Sequence, residues 1–375
     1  MTYRNSLQGN LWQANCHKCS LWNICGGAPS APCECVHTGE DKYNCQECRI
    51  VCRERKAAPT NLISEDTFHD QIAAGIPLHK LKIAQPTNNP QFPIYTPLHT
   101  NKLSSSADFT YVGIPVDKIL TAPKSKYPSL RKYVTNIDEL EKHFNTISSN
   151  KYIAILNGAD EYLEALWRMP DRNKLYEKFK ELGIQYVTGP TFSIIDEPGV
   201  PASHNITMLL RHNRIVNELT DFGLIPIPNI YTRSQYNIQQ WKKWLALNFQ
   251  VTHIAFDYSL QSKGRNVDKH IMKSLTLLDG LKRDFHIFFT GIGTMNGLFI
   301  NDKLQNSGHS FSIITGEPII KGAKGGQKLS VEKGSIKYVA KPEYPKEALA
   351  KYNVALFRDL LKNKSETHQL MLADL

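Results

Sequence analysis

From about residue 79 onward, short apolar runs alternate with longer amphipathic stretches, which predicts repeated strand–helix units built on a parallel sheet. The apolar runs fall at His79–Ala84, Phe109–Ile114, Tyr152–Asn157, Gln185–Gly189, Leu224–Ile230, Thr252–Tyr258, Phe285–Ile292 and Ser310–Thr315. Between them, apolar residues recur at i, i+3 and i+4 in Ile137–Ile147, Glu161–Leu182, His204–Asp221, Ser234–Phe249 and Val267–Leu281, and Pro345–Leu361 predicts a closing helix. Pro170 breaks the second of these helices. The Pro- and Asn-rich stretch Thr87–Pro97 reads as a loop, and no helix is evident between the first and second expected strands. Eight strands over roughly 240 residues fit an α/β fold of the (β/α)8, TIM-like barrel kind better than an open doubly wound sheet, which typically needs about five to seven strands.

Residues 1–58 do not share this pattern. All eight cysteines lie there, as Cys16, Cys19, Cys25, Cys33, Cys35, Cys45, Cys48 and Cys52. The apolar residues of this segment are too scattered to drive folding by burial, so thiolate–metal bonds have to supply much of its stability. The spacing is a triple, C-x2-C-x5-C, then the pair Cys33-x-Cys35, then a second triple, C-x2-C-x3-C. Three ligands plus one, twice, predicts two sites of four cysteines each. A tight run of thiolates with one distant ligand fits an iron–sulfur cluster somewhat better than zinc, whose structural sites favour paired C-x2-C knuckles; zinc stays open. The expected organisation is therefore a Cys-rich metal-binding module over residues 1–58 and a barrel domain over residues 59–375 with a C-terminal helix.

Composition adds a location and a partner. No apolar run approaches the ~20 residues a membrane span requires, and Met1-Thr2-Tyr3-Arg4 does not open a signal peptide, so a cytoplasmic protein is expected. The formal net charge of +10 favours a polyanion such as nucleic acid. Oligomeric state is not legible.

In a barrel of this type the chemistry sits where strands end, so the residues just after each apolar run carry the information. Asp257, at the end of the sixth run, is the expected catalytic carboxylate, as base or nucleophile. Asp160, after the third run, is its candidate acid partner or a cap for the following helix. Arg233, after the fifth, is a candidate to neutralise an anionic substrate group. Thr191, Ser193, Asn229, Gly291 and Gly293 are expected to line the same mouth. Beyond the eighth run, Gly322, Lys324, Gly325 and Gly326 have the composition of a phosphate-binding loop, with no G-x4-G-K-[ST] match; a surface loop is the alternative.

The stretch His286-Ile-Phe-Phe-Thr-Gly291-Ile-Gly293, followed by Ser310-Phe-Ser-Ile, resembles the late strands of tRNA-guanine transglycosylase barrels, including relatives that insert deazaguanines into DNA. That resemblance implies exchange of a nucleobase through a covalent aspartate, with Asp257 as nucleophile. The family's Asp-Ser-Gly-Gly-Phe purine-pocket motif and its C-terminal C-x-C-x2-C zinc site have no counterpart here. The run Cys16-His-Lys-Cys19-Ser-Leu-Trp-Asn-Ile-Cys25-Gly-Gly resembles auxiliary-cluster domains of some radical enzymes, but the accompanying C-x3-C-x2-C motif is missing. Two other readings stay open: an iron–sulfur redox or lyase enzyme acting on a small phosphorylated substrate, and a non-catalytic metalloprotein that binds nucleic acid or a protein partner.

Overall fold

The computed structural model describes residues 74–85, 90–99, 109–121, 129–194, 202–232, 235–259, 267–305, 307–332 and 335–362. The eight cysteines, the expected boundary near residue 58 and Arg233 lie outside these segments.

Among the described residues, eight short strands run parallel in two sheets of four. They are β1 (Tyr95–Pro97), β2 (Tyr111–Pro115), β3 (Lys151–Ile155), β4 (Tyr186–Thr188), β5 (Ile225–Ile227), β6 (His253–Asp257), β7 (His286–Thr290) and β8 (Ser310–Thr315). The sheet orders are β1-β8-β7-β6 and β2-β3-β4-β5. Both edges are bridged: Leu98 pairs with Gly113 beside β1 and β2, and Asn229 pairs with Ala255 beside β5 and β6. At the second seam, Ala255 N–H donates to Pro228 O at 2.9 Å and Ile230 N–H to Ala255 O at 2.8 Å.

The helices are α1 (Val116–Ile119), α2 (Ile137–Phe144), α3 (Asp160–Arg168), α4 (Asn173–Glu181), α5 (Ala202–Asp221), α6 (Gln235–Leu247), α7 (Val267–Leu278), α8 (Thr294–Leu304), α9 (Glu317–Ala323) and α10 (Lys346–Lys362). Their ends follow local chemistry. Asn136 caps α2 by accepting from Glu139 N–H at 2.9 Å, and Asn145 ends it in the left-handed conformation at φ 54°. Pro170 separates α3 from α4.

Burial divides into three layers. One cluster, with Tyr111, Ile153, Ile155, Tyr186, Ile227, Ala255, Phe288 and Ile314, draws on both sheets and is closed by Phe92. The Phe92 ring lies 4.7 Å from Tyr111, 5.0 Å from Tyr186 and 4.8 Å from Phe288, centroid to centroid, in the offset geometries aromatic rings prefer. The other two clusters hold the outward residues of each sheet against the helices. Strand residues therefore alternate between an inner and an outer apolar environment, which is why the runs read as continuously hydrophobic.

Three expectations need correction. His79–Ala84 is not a strand: it holds a 3-10 turn at Leu78–Lys80 and then an extended segment outside both sheets. Leu81 and Ile83 are buried and mimic strand alternation, but they pack in the cluster that contains Trp241 and Trp244. The first strand is Tyr95–Pro97, inside the stretch read as a loop. Its ladder partner is β8, with Tyr95 opposite Ile313, and its Tyr95 ring packs 5.3 Å from Phe357 of α10. Beyond β8 the chain is no glycine loop: α9 leads into an antiparallel hairpin, β9 (Gln327–Glu332) and β10 (Ser335–Ala340), before α10.

Gln85 finishes the extended segment and joins the two sheets at their N-terminal ends. Its side-chain amide donates to Pro226 O of β5 at 2.9 Å and to His253 O of β6 at 3.0 Å, while its carbonyl accepts from Thr252 N–H at 2.7 Å and His253 N–H at 2.8 Å. Four backbone groups that would otherwise be left at a seam are thus satisfied by one side chain. At the opposite, C-terminal ends of the strands, the polar residues gather.

Candidate functional site

Asp257 ends β6 directly opposite Thr290 of β7 in the parallel register. The Thr290 hydroxyl donates to Asp257 Oδ1 at 2.9 Å, and the Ser259 hydroxyl donates to the same oxygen at 2.7 Å. Among the described residues no side chain bonds the second oxygen, Oδ2. Thr290 in turn accepts from Asn157 Nδ2 at 2.5 Å, and Asn157 Oδ1 accepts from the Thr188 hydroxyl at 3.4 Å. One polar chain therefore runs from β4 through β3 to β7 and β6, fixing a half-buried carboxylate from one side. Two charge-assisted bonds to a single oxygen orient the carboxylate and leave its other oxygen for a ligand.

Asp257 shares a cavity with Thr191, Ser193, Asn229, Tyr231, Ser259, His270 and Ser274. The cavity brings together four of the residues expected from sequence: Asp257, Thr191, Ser193 and Asn229. Asn229 is buried, and its Nδ2 is engaged by Gly189 O. Its Oδ1 is buried and has no hydrogen-bond partner among the described residues. Asp257 is the one carboxylate among the described lining residues.

A second opening, sharing Ser259 with the first, is lined by Gly291, Gly293, Met295, Asn296 and Glu317. Two glycines make room here. Gly291 has φ 68°, and a Cβ there would lie 2.2 Å from Ser259 N and 2.7 Å from Asp257 Oδ1. A Cβ on Gly293 would meet Glu317 Oε2 at 2.4 Å. Glu317 accepts from Thr294 N–H at 2.5 Å, so a carboxylate of the chain itself holds the α8 N-terminus where a substrate phosphate would be favoured.

Asp160 lies at the start of α3, where its charge suits the helix dipole, and accepts from the Ser193 hydroxyl at 2.5 Å. It is not among the residues lining the Asp257 cavity but reaches it through Ser193. His204 contacts the Ser193 carbonyl at 3.0 Å. Burial pushes the His204 imidazole below its ordinary value against the opposing effect of that carbonyl, so it favours the neutral form.

Gly322, Lys324, Gly325 and Gly326 line neither opening. Gly322 is where α9 crosses α10; a Cβ there would lie 2.4 Å from Ala350 N. Gly325 and Gly326 form the turn out of α9, with Gly326 at φ 58° accepting the left-handed conformation. Lys324 is exposed on that turn.

Sequence reasoning picked out Asp257 as the carboxylate and did not say which of the polar strand-end side chains hold it. Thr290, Ser259 and Asn157 follow the same strand-end rule, with Ser259 in the turn just past Asp257. Glu317, two residues beyond β8, obeys that rule as well. His270 and Ser274 come from α7, and nothing in the sequence links them to the strand ends. The groups of three or more His, Cys, Asp or Glu that could hold a metal are absent among the described residues. No described helix is long and apolar enough to cross a membrane. No family model, curated protein or solved structure matches the chain.

Proposed function

We propose that the eight strands form a (β/α)8 barrel and that its C-terminal mouth is the active site of a nucleobase transglycosylase acting on nucleic acid. The barrel reading rests on the bridges at both sheet edges and on the aromatic cluster drawn from both sheets. The reaction reading rests on one observation: Asp257 is held through Oδ1 by Thr290 and Ser259, with Oδ2 directed to no side chain among the described residues.

In the reaction, Asp257 Oδ2 attacks C1′ of a nucleotide as the bond from C1′ to the base nitrogen breaks, and the base leaves, taking up a proton from water. A nitrogen of the incoming base then attacks C1′, expels the carboxylate and gives up its own proton to water. Thr290 and Ser259 keep one oxygen hydrogen-bonded throughout, which orients the nucleophile without neutralising it. Rate loss on removing such a nucleophile is large, about 10⁴-fold or more in well-studied hydrolases.

We propose further that the eight cysteines hold two four-thiolate sites, with iron–sulfur ahead of zinc, that organise the N-terminal module or carry electrons and take no part in base exchange. The protein is proposed to work in the cytoplasm.

The test is incorporation of radiolabelled guanine and 7-deazaguanine bases into bulk tRNA and into plasmid DNA by the purified full chain. Label retained in nucleic acid supports the reading; no incorporation into either polymer, with both bases, refutes it.

A further inference from the structure

Much of the positive charge of the chain is concentrated in the stretch that follows β8 and α9's first turn. Residues 321–362 carry ten Lys and Arg against four Asp and Glu, a net +6 of the overall +10. The acidic side chains are largely engaged locally: Glu332 with Lys337, Glu343 with Lys341 and Glu347 with Lys351. Lys321, Lys324 and Lys328 form no ion pair among the described residues, and two of them lie over tyrosine rings. Lys321 Nζ is 5.6 Å from the centre of the Tyr338 ring, and Lys328 Nζ is 4.5 Å from the centre of the ring of Tyr352, a residue that is 42% exposed.

This cluster is fastened to the rim of the mouth. The Tyr338 hydroxyl bonds the Thr294 hydroxyl at 2.7 Å, and the same Thr294 donates its N–H to Glu317, which lines the opening next to Asp257. From there α9 carries Lys321 outward, the Gly325–Gly326 turn presents Lys324, and β9 brings Lys328 to Tyr352.

We infer that Lys321, Lys324, Lys328 and Tyr352 form a track for the sugar–phosphate backbone of single-stranded nucleic acid, leading the target nucleotide to Asp257. Lysines with no ion pair among the described residues supply phosphate contacts, and an exposed tyrosine supplies a face on which an unstacked base rests, the combination that single strands require. A base must leave any helix to reach a carboxylate inside the mouth, so an unpaired strand is also what the chemistry needs. The inference rests on the reading of nucleic acid as substrate.

The experiment is fluorescence anisotropy of a labelled mixed-sequence 20-nucleotide single strand with the full chain, between 50 and 250 mM salt, beside a duplex of the same sequence. We expect Lys321→Gln/Lys324→Gln/Lys328→Gln to weaken binding at least tenfold and to lower the salt slope by about 2, the share of three phosphates on a single strand. The corresponding triple arginine variant should keep the slope. Lys324→Gln alone, at an exposed turn, should remove about a third of the effect, and Tyr352→Ala should weaken binding about tenfold. Equal binding by the glutamine triple overturns the track while leaving the mouth chemistry standing. Preference for the duplex, or full competition by millimolar inorganic phosphate, also overturns it, and absence of any binding by the unaltered chain overturns track and nucleic-acid substrate together. Lysine-dependent binding without base exchange overturns the transglycosylase reading and spares the track.

Discussion

The side-chain amide of Asn157, at the end of β3, donates to the hydroxyl of Thr290, at the end of β7, at 2.5 Å. The two strands belong to different sheets, so a single hydrogen bond ties the two halves of the fold where Asp257 sits. Thr290 passes that constraint on by donating to Asp257 Oδ1.

Thr290→Val removes the hydroxyl at nearly constant volume and separates orientation from chemistry. It leaves Asn157 Nδ2 unpaired and releases Asp257 from one of its two anchors. We expect about 1–3 kcal/mol of destabilisation in urea unfolding and a loss of about tenfold or more in kcat, with KM little changed. An unaltered kcat would show that Thr290 serves packing alone.

Gly322→Ala distinguishes a packing glycine from a phosphate-binding one. The added methyl would meet the Ala350 backbone at 2.4 Å, where neither helix can yield a flexible side chain. The expected cost is about 1–3 kcal/mol, read as a lower urea midpoint with an unchanged slope. Phosphate affinity, measured by calorimetry, should not move.

Acid sensitivity follows from the buried histidines at the N-terminal ends of the strands. Burial pushes His253 down to about 4; burial, and secondarily the nearby His253, pushes His286 down to about 3. Above about pH 6.5 both are neutral folded and unfolded, and they make no difference. As pH falls below that, the unfolded chain gains protons that the native state refuses until its own lower values are reached, so stability drops across roughly pH 6.5 to 4. His253→Gln should flatten that limb by roughly 3 kcal/mol over the interval, measured as the difference between urea-unfolding curves of the two proteins at stepped pH. Parallel curves would contradict the assignment.

Metal content decides the cysteine module. Anaerobically purified protein should contain iron and labile sulfide with absorbance near roughly 400 nm, and lose both when Cys16 and Cys45 are changed to Ser. About two colourless zincs per chain would replace iron–sulfur by structural zinc.

Seven of the eight strands were legible because each is a short apolar run bounded by polar or glycine-rich turns. β1 escaped because Pro93 and Pro97 mark the stretch as a loop, whereas Leu81 and Ile83 alternate like a strand while packing under helices. α8 escaped because Thr294, Gly297 and Asn301 stand on its buried face while Met295 and Phe299 lie outside it, so the sequence shows no apolar stripe; Gly297 lets Phe357 approach to within 3.1 Å of its Cβ position. The carboxylate at the strand end was visible by position. The hydroxyls that hold it were not, since they depend on which residues the register places opposite, and Asp257 meets Thr290 only once β6 and β7 are aligned.

The central claim is that Asp257 forms the covalent bond. A single-stranded oligonucleotide incubated with the full chain in the absence of free base, quenched in acid and weighed intact, reports it directly. The expected result is a protein–nucleic acid adduct that maps to the peptide containing Asp257, disappears on adding free base and is absent from Asp257→Asn. Base exchange by Asp257→Asn at the unaltered rate, or an adduct on another residue, would contradict the account.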